Sequence, residues 1–156
     1  MRGGQAVLKG QMRRSGEAER MLMFTSSRLH RGDIYTREDL KQLFMITDQT
    51  LYTGIFRPAN TDSLWIFVTE RKSGDMTEYN DFLDGDTLYW DGQTAGRKDQ
   101  SVIEHERCGL ELLVFYRAKK QEFPGAGFRY EGRFRYVAHT GANPAHFTLQ
   151  RLAVYM

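Results

Sequence analysis

Phe128-Arg-Tyr-Glu-Gly-Arg-Phe-Arg-Tyr136 is the stretch of this sequence that decides its fold. Its aromatic residues alternate with polar ones, and successive side chains of a β-strand point to opposite faces of a sheet. The alternation therefore predicts a strand with one buried face. The other face carries the charged side chains Arg129, Glu131, Arg133 and Arg135.

Further strands are predicted on either side of this stretch, in runs dense in β-branched and aromatic residues that turn residues separate. A helix is predicted over Arg37–Met45, because Thr36 and Asp39 have the spacing of a near capping box and apolar residues follow at helical spacing. Several short strands with one or two flanking helices predict an α+β fold built on a small, partly open β-barrel. The predicted strands are 51–57, 63–69, 87–90, 101–105, 110–117, 128–138 and 145–154.

The composition favours a single cytoplasmic domain. A chain of 156 residues is long enough to bury a core without disulfides. Its one cysteine, Cys108, excludes an intramolecular disulfide and a Cys-based zinc site. No apolar run is long enough to span a membrane, and residues 1–20 lack the apolar core of a secretory signal. No membrane partner is expected.

Charge is distributed unevenly along the chain. Residues 1–31 carry seven basic and two acidic side chains, residues 32–105 carry seven and fourteen, and residues 106–156 carry eight and four. Two outcomes are open: one basic face suited to a polyanion, or charges that mix on the surface and cancel. We interpret 1–31 as a basic arm, flexible or forming a short helix, and 32–156 as the folded domain.

No motif typical of a catalytic site is present in the sequence. The four histidines lack metal-binding spacing, and nucleophile-elbow, phosphate-loop and dinucleotide-binding motifs are missing. His105 and His139 are more typical of structural residues than of catalytic bases. We therefore expect no catalytic residue, metal or cofactor. The alternative is a magnesium site in the acidic loop that contains Asp81, Asp84 and Asp86.

The segment Asp86-Thr-Leu-Tyr-Trp-Asp-Gly-Gln93 is the most informative for function. Two adjacent large aromatic residues, Tyr89 and Trp90, precede a polar turn that contains Gly92. Such a segment can supply a stacking wall with hydrogen-bonding groups at its rim, which a protein needs to hold one planar base. The alternative is an ordinary strand with one core and one surface aromatic residue.

Ten short motifs in a fixed order, over about residues 33–152, resemble a known group of domains. The group comprises the PUA-like domain at the C-terminus of bacterial restriction-associated helicases and the SRA-like reader domain of McrA-type HNH endonucleases. The motifs are Tyr35–Leu40, Gly54–Pro58, Trp65–Glu70, Tyr79–Asp81, Tyr89–Gln93, Glu104–Glu106, Leu113–Arg117, Phe128–Gly132, Tyr136–His139 and Pro144.

The resemblance implies a PUA-like (SRA-like) pseudobarrel that binds DNA carrying a modified base, commonly by flipping that base into an aromatic pocket. The basic arm lies outside the resemblance, and the chain lacks the helicase or HNH nuclease that accompanies such readers. Three alternatives are open: the chain acts alone, it is a domain excised from a longer protein, or its partner is a separate nuclease or helicase.

The resemblance and the residue patterns together indicate the contacts of such a reader. The candidates for stacking are Tyr79, Tyr89 and Trp90, and Asp81 and Gln93 are candidates for the Watson–Crick edge of the flipped base. A carboxylate accepts from an exocyclic amine, so Asp81 favours an amino-bearing base. The candidate phosphate contacts are Arg57, Arg97, Lys98, Arg117, Lys119, Lys120 and Arg133.

Our main hypothesis is a non-enzymatic recognition module of modification-dependent (type IV) restriction that binds modified double-stranded DNA, with 5-methylcytosine as the expected base. A small Mg²⁺-dependent nuclease or base-processing enzyme is one alternative. An RNA-binding module of the YTH or PUA type is the other. The sequence does not specify the sequence context of the base or the oligomeric state.

Overall fold

A computed structural model describes residues 23–71 and 81–153. It confirms a mixed α+β domain that is mostly sheet. The helices are α1 (Arg37–Phe44) and α2 (Asp99–Ile103). The strands are β1 (Ile34–Tyr35), β2 (Ile55–Phe56), β3 (Ser63–Arg71), β4 (Phe82–Asp84), β5 (Thr87–Asp91), β6 (Glu111–Lys119), β7 (Phe128–Thr140) and β8 (His146–Arg151).

The strands form one curled sheet in the order β2-β3-β6-β7-β8-β5-β4, and β1 pairs with the beginning of β7. The neighbouring strands β3 and β6 are parallel. The curl brings β4 close to β6. There the Leu83 backbone N–H donates to the Tyr116 hydroxyl at 3.4 Å. Within the described ranges no pairing joins the end strands β2 and β4, so the sheet is not closed into a barrel.

Both faces of β3 and β6 are buried. Leu64, Ile66 and Val68 of β3 point into an inner cluster that also contains side chains of β5, β8 and α2. Trp65 and Phe67, the residues between them, point into an outer cluster beneath α1. The alternation of a strand thus supplies two cores, one on each side of the sheet.

A β-bulge at Glu131 moves β7 from one cluster to the other. Tyr130 pairs with Phe115 and Gly132 pairs with Val114, which leaves Glu131 as an extra residue in β7. Phe128 and Tyr130 consequently lie in the outer cluster and Phe134 in the inner one. Gly132 has φ +99°, a left-handed conformation that glycine adopts without steric cost.

Glu131 itself is buried by this bulge, although the sequence pattern predicts an exposed position. Its carboxylate accepts from Arg129 at 2.5 Å and from Arg151 at 2.7 Å. Arg133 and Arg135 are exposed as predicted. A buried carboxylate requires such compensation, and two guanidinium groups supply it here.

Most predicted elements are confirmed and two are wrong. The Thr36–Asp39 capping box is present and starts α1 where the sequence places it. The segment 101–105, predicted as a strand, lies in α2 and the turn after it. The segment 51–57 forms a strand only at Ile55–Phe56, preceded by a 3-10 turn at Gln49–Tyr52. The short strands β1 and β4 were not predicted.

The described part of the basic arm belongs to the folded domain. The backbone N–H and hydroxyl of Thr25 both contact the Ser63 hydroxyl, at 2.9 and 2.8 Å, and Ser26 bonds to Glu111. These contacts attach Thr25 and Ser26 to β3 and β6, and the domain boundary at residue 32 stays a prediction. Residues 1–22 lie outside the described residues. In the described ranges no helix is long and apolar enough to cross a membrane.

Candidate functional site

A recess of about 340 Å³ lies against one end of β5, β8 and β7. Nine residues line it, and they form three rows that run across the three paired strands. The rows are Tyr89–Thr148–Ala138, Trp90–Phe147–His139 and Asp91–His146–Thr140.

Strand alternation gives these rows different roles. Trp90 and Phe147, in the middle row, point into the inner cluster, where their rings stack with centroids 5.2 Å apart. Trp90 is only 5% exposed, so most of its ring is covered. Tyr89, in the next row, is 38% exposed and points the opposite way. Of the two adjacent aromatic residues, Tyr89 is the one that offers a free surface.

A carboxylate–imidazole pair forms the opposite rim of the recess. Asp91 Oδ1 lies 2.6 Å from Nδ1 of His146, across the β5–β8 pairing. Asp81 fixes the backbone of Asp91. Its buried carboxylate accepts from the Asp91 backbone N–H at 2.9 Å. The side chain at the rim is therefore Asp91, and Asp81 positions the strand that carries it.

A second bulge in β7 sets His139 against Phe147 in the lining of the recess. Tyr136 pairs with Leu149 and Ala138 pairs with Thr148, so Val137 is an extra residue. The bulge places Tyr136 and His139 on the same face, and the Tyr136 hydroxyl lies 2.6 Å from Nδ1 of His139. Regular alternation would have separated these two side chains.

The turn after β5 is closely packed, which explains its glycine. A Cβ atom at Gly92 would lie 2.9 Å from the Phe147 ring and 3.0 Å from the Asp99 carboxylate. Gln93 is half-buried in this turn, and its carbonyl accepts from the Gly96 N–H at 2.9 Å. It is not among the residues that line the recess.

The structure therefore brings together two of the five predicted pocket residues, Tyr89 and Trp90, in the lining of one recess. Asp81 lies behind it and Gln93 beside it, while Tyr79 lies outside the described residues. Sequence reasoning missed Asp91 and His146. Asp91 directly follows the two aromatic residues, whereas nothing in the sequence marks His146 as its partner.

The predicted phosphate contacts occupy several places. Arg57 and Lys98 donate to the backbone carbonyls of Thr61 and Ile55, both at 3.2 Å. Exposed Arg97 follows Gly96, whose added Cβ would lie 2.7 Å from Asn143 in the β7–β8 loop. Arg97 therefore lies near the recess.

The remaining candidates lie elsewhere. Lys119 and Lys120, at the end of β6, lie towards the beginning of β7 and away from the recess. Exposed Arg133 lies in β7 between the beginning of the strand and the recess at its other end. Arg117 is buried, with its guanidinium 3.9 Å from the centre of the Phe128 ring.

Arg117 is occupied by contacts within the fold. It donates to Thr69 at 2.8 Å and to the Ala126 carbonyl at 2.7 Å. Burial lowers the pKa of its guanidinium, because desolvation disfavours the charged form. These contacts stabilise the fold, and a phosphate contact by Arg117 stays a prediction.

The described residues give no support to a magnesium site in the acidic loop. Among them no group of three or more His, Cys, Asp or Glu side chains is placed to hold a metal ion. Asp81 binds the Asp91 backbone, and Asp86 forms an ion pair with Arg151. His105 is buried, with Nδ1 2.8 Å from the Leu110 carbonyl and Nε2 accepting from the Tyr136 N–H at 3.2 Å.

Comparison with known proteins gives a likeness at the level of fold. No family model matches the sequence, and no curated protein matches it. A solved structure described as "Modification dependent TagI restriction endonuclease" superposes with a TM-score of 0.50 at 19% sequence identity. The match covers 79% of this chain and 50% of that chain. The chain thus spans half the length of that endonuclease and shares the fold of that part.

Proposed function

We propose that this chain recognises DNA that carries a modified base and serves as the recognition module of modification-dependent restriction. The observation that carries the proposal is the recess between β5, β7 and β8, which has an exposed aromatic ring on one side and the Asp91–His146 pair on the other. The fold-level likeness to a modification-dependent endonuclease supports the same class of function.

The recess has the parts that binding a single base requires. Tyr89 offers a ring for stacking, which is worth about 1–3 kcal/mol per base. The Asp91–His146 pair supplies hydrogen-bonding groups opposite that ring. A volume of about 340 Å³ lies at the small end of ligand pockets, which run from roughly 300 to 1,000 Å³. These features favour one planar group over an extended ligand.

A base inside a duplex cannot reach such a recess, so we propose that the target nucleotide is flipped out. We propose 5-methylcytosine as the base and a PUA-like (SRA-like) barrel as the ancestry of the fold. Cleavage would come from a separate nuclease or helicase-containing partner. The purified chain is then expected to leave methylated plasmid intact with Mg²⁺ or Mn²⁺, and nicking that Asp84→Ala removes would contradict this.

The decisive experiment compares binding to methylated and unmethylated duplexes of one sequence, with RNA of that sequence as a competitor. We expect the wild-type chain to prefer the methylated duplex. Tyr89→Ala should weaken that binding by roughly 5- to 150-fold and leave the weak binding to unmodified DNA nearly unchanged. Tyr52→Ala is the matched control, since Tyr52 is also exposed but lies far from the recess in sequence and contacts α1.

Equal affinity for the two duplexes would refute the proposal. Stronger competition by RNA than by methylated DNA would instead favour an RNA-binding module.

A further inference from the structure

Two exposed aromatic side chains lie next to each other on β4 and β5, at one edge of the sheet. Phe82 of β4 is 42% exposed and Tyr89 of β5 is 38% exposed. The two residues are register partners, and their ring centroids are 4.9 Å apart with an interplanar angle of 31°. At this distance the two rings partly overlap, so the pair is a short aromatic stack, and Phe82 is its ring nearer the edge of the sheet.

The packing of the described residues does not account for this pair. The apolar contacts of β4 and β5 with the inner cluster are made by Leu83, Leu88 and Trp90, which point the other way. No residue of either buried cluster comes from the Phe82–Tyr89 side of these strands. A pair of large rings left in water by both strands therefore indicates a binding surface.

The pair is continuous with the recess. Tyr89 belongs to both, and strand register sets Phe82, Tyr89, Thr148 and Ala138 in one row. The aromatic part of this row extends from the recess to the edge strand of the sheet. A ligand that enters the recess beside Tyr89 would therefore have its next planar group close to Phe82.

We propose that Phe82 and Tyr89 form a stacking platform for a second, unpaired nucleobase, next to the one held in the recess. This inference rests on the proposed function. Removing one base from a duplex deprives its neighbour of a stacking partner. An aromatic platform beside the recess restores that contact, so the protein would hold the DNA open over two adjacent nucleotides.

Charges beside the platform affect on which side the phosphates of the opened DNA strand lie. Asp84 is exposed two residues after Phe82 and pairs with Thr87, so it flanks the platform on the side away from the recess rim. Phosphates are repelled there. The opposite side leads to the loop beside Arg97. That side also carries the Asp91 carboxylate, which is bonded to His146, so exposed Arg97 is the cation that favours the phosphates of the opened strand there.

A cycle of changes in protein and DNA tests the platform. Affinities of wild type and Phe82→Leu are measured for a methylated duplex and for duplexes with an abasic site 5′ or 3′ of the methylated base. On the intact duplex, Phe82→Leu should bind at least about five-fold more weakly. On one of the two abasic duplexes that difference should vanish, because the base that stacks on Phe82 is missing.

Three controls keep the result specific. Phe82→Tyr keeps the ring and should retain wild-type affinity, and Ile34→Ala removes another exposed apolar side chain, from β1 at the beginning of β7, without effect. Phe82→Thr repeats the cycle should the leucine variant fail to fold. Equal losses on all three duplexes, or no loss on any, would overturn the platform. A wild-type chain that does not prefer methylated DNA would overturn the proposed function instead.

Discussion

The two halves of the sheet differ in how many of their faces the protein buries. In β3 and β6, alternate residues such as Trp65 and Ile66 enter separate clusters, so both faces are covered. In β5 and β8, only one face is covered, and Tyr89 and His146 on the other face are exposed. The first half is a frame, whereas the second half has a free face on which a ligand can be bound.

The comparison also explains why aromatic content alone does not locate a site. Trp65 is fully buried and donates its ring N–H to the Thr25 hydroxyl at 2.9 Å. Phe67 and Phe115 stack beneath α1. The half with more aromatic residues is thus the one with no free surface. Exposure on an uncovered face, as at Tyr89, is the feature that indicates binding.

The largest expected effect comes from the half that is covered on both faces. Trp65→Ala should lower the free energy of unfolding by roughly 3–5 kcal/mol, because it leaves a cavity and removes the hydrogen bond from the indole N–H to the Thr25 hydroxyl. The ratio of affinities for methylated and unmethylated DNA should not change once the folded fraction is accounted for. Urea denaturation with both binding curves measures this, and a reduced ratio would contradict the assignment of Trp65 to the frame.

Trp90→Ala tests the buried side of the other half. Trp90 stacks on Phe147 behind the recess, so its loss should also cost roughly 3–5 kcal/mol of stability. Binding to both DNAs should weaken together, since the folded fraction of the variant falls. Melting temperature and the two affinities decide the matter. Selective loss of methylated DNA at unchanged melting temperature would return Trp90 to the role of a stacking wall.

Gly132→Ala tests the bulge at which β7 changes from one cluster to the other. A Cβ atom in a left-handed conformation costs roughly 1–2 kcal/mol, and Gly132 has φ +99°. Gly54→Ala is the control, since its nearest neighbour is the Phe67 carbonyl at 4.0 Å and its φ is not in the left-handed region. Chemical denaturation of both variants should show a loss of stability only for Gly132→Ala.

The smallest expected effect concerns salt. If about four phosphates are contacted, log affinity should fall with log salt at a slope of roughly −3 to −4. Arg97→Gln, beside the recess, should make that slope shallower by about 0.9. Lys120→Gln, at the other end of β7, should leave it unchanged. A reversed result would place the DNA across the frame, and a flat salt response in the wild type would argue against DNA binding.

Local signals in the sequence predict the parts of the fold that depend on neighbouring residues. Thr36 and Asp39 specify the start of α1 because both partners of the capping box lie within one turn. The helix α2 was missed because Val102 and Ile103 are β-branched and the helix has only five residues. In so short an element, the burial of Val102 outweighs local preference.

The site was predicted only in part, for a related reason. Tyr89 and Trp90 are adjacent in sequence and are visible as a pair. The Asp91–His146 contact joins residues 55 positions apart, and the bulge at Val137 that sets His139 against Phe147 has no marker in the sequence. Such features depend on strand register, which is settled only when the sheet assembles.

The position of β8 in the sheet fixes the order in which the chain can build its recess. Among the described residues β5 pairs only with β4 and β8, so it joins the rest of that sheet through β8, a strand that is synthesised later than the other six strands of the sheet and β5 itself. Until His146–Arg151 emerges from the ribosome, the β4–β5 hairpin has no attachment by strand pairing, and a lone hairpin is marginally stable in water. A message cut short before this strand would yield the frame without its binding surface.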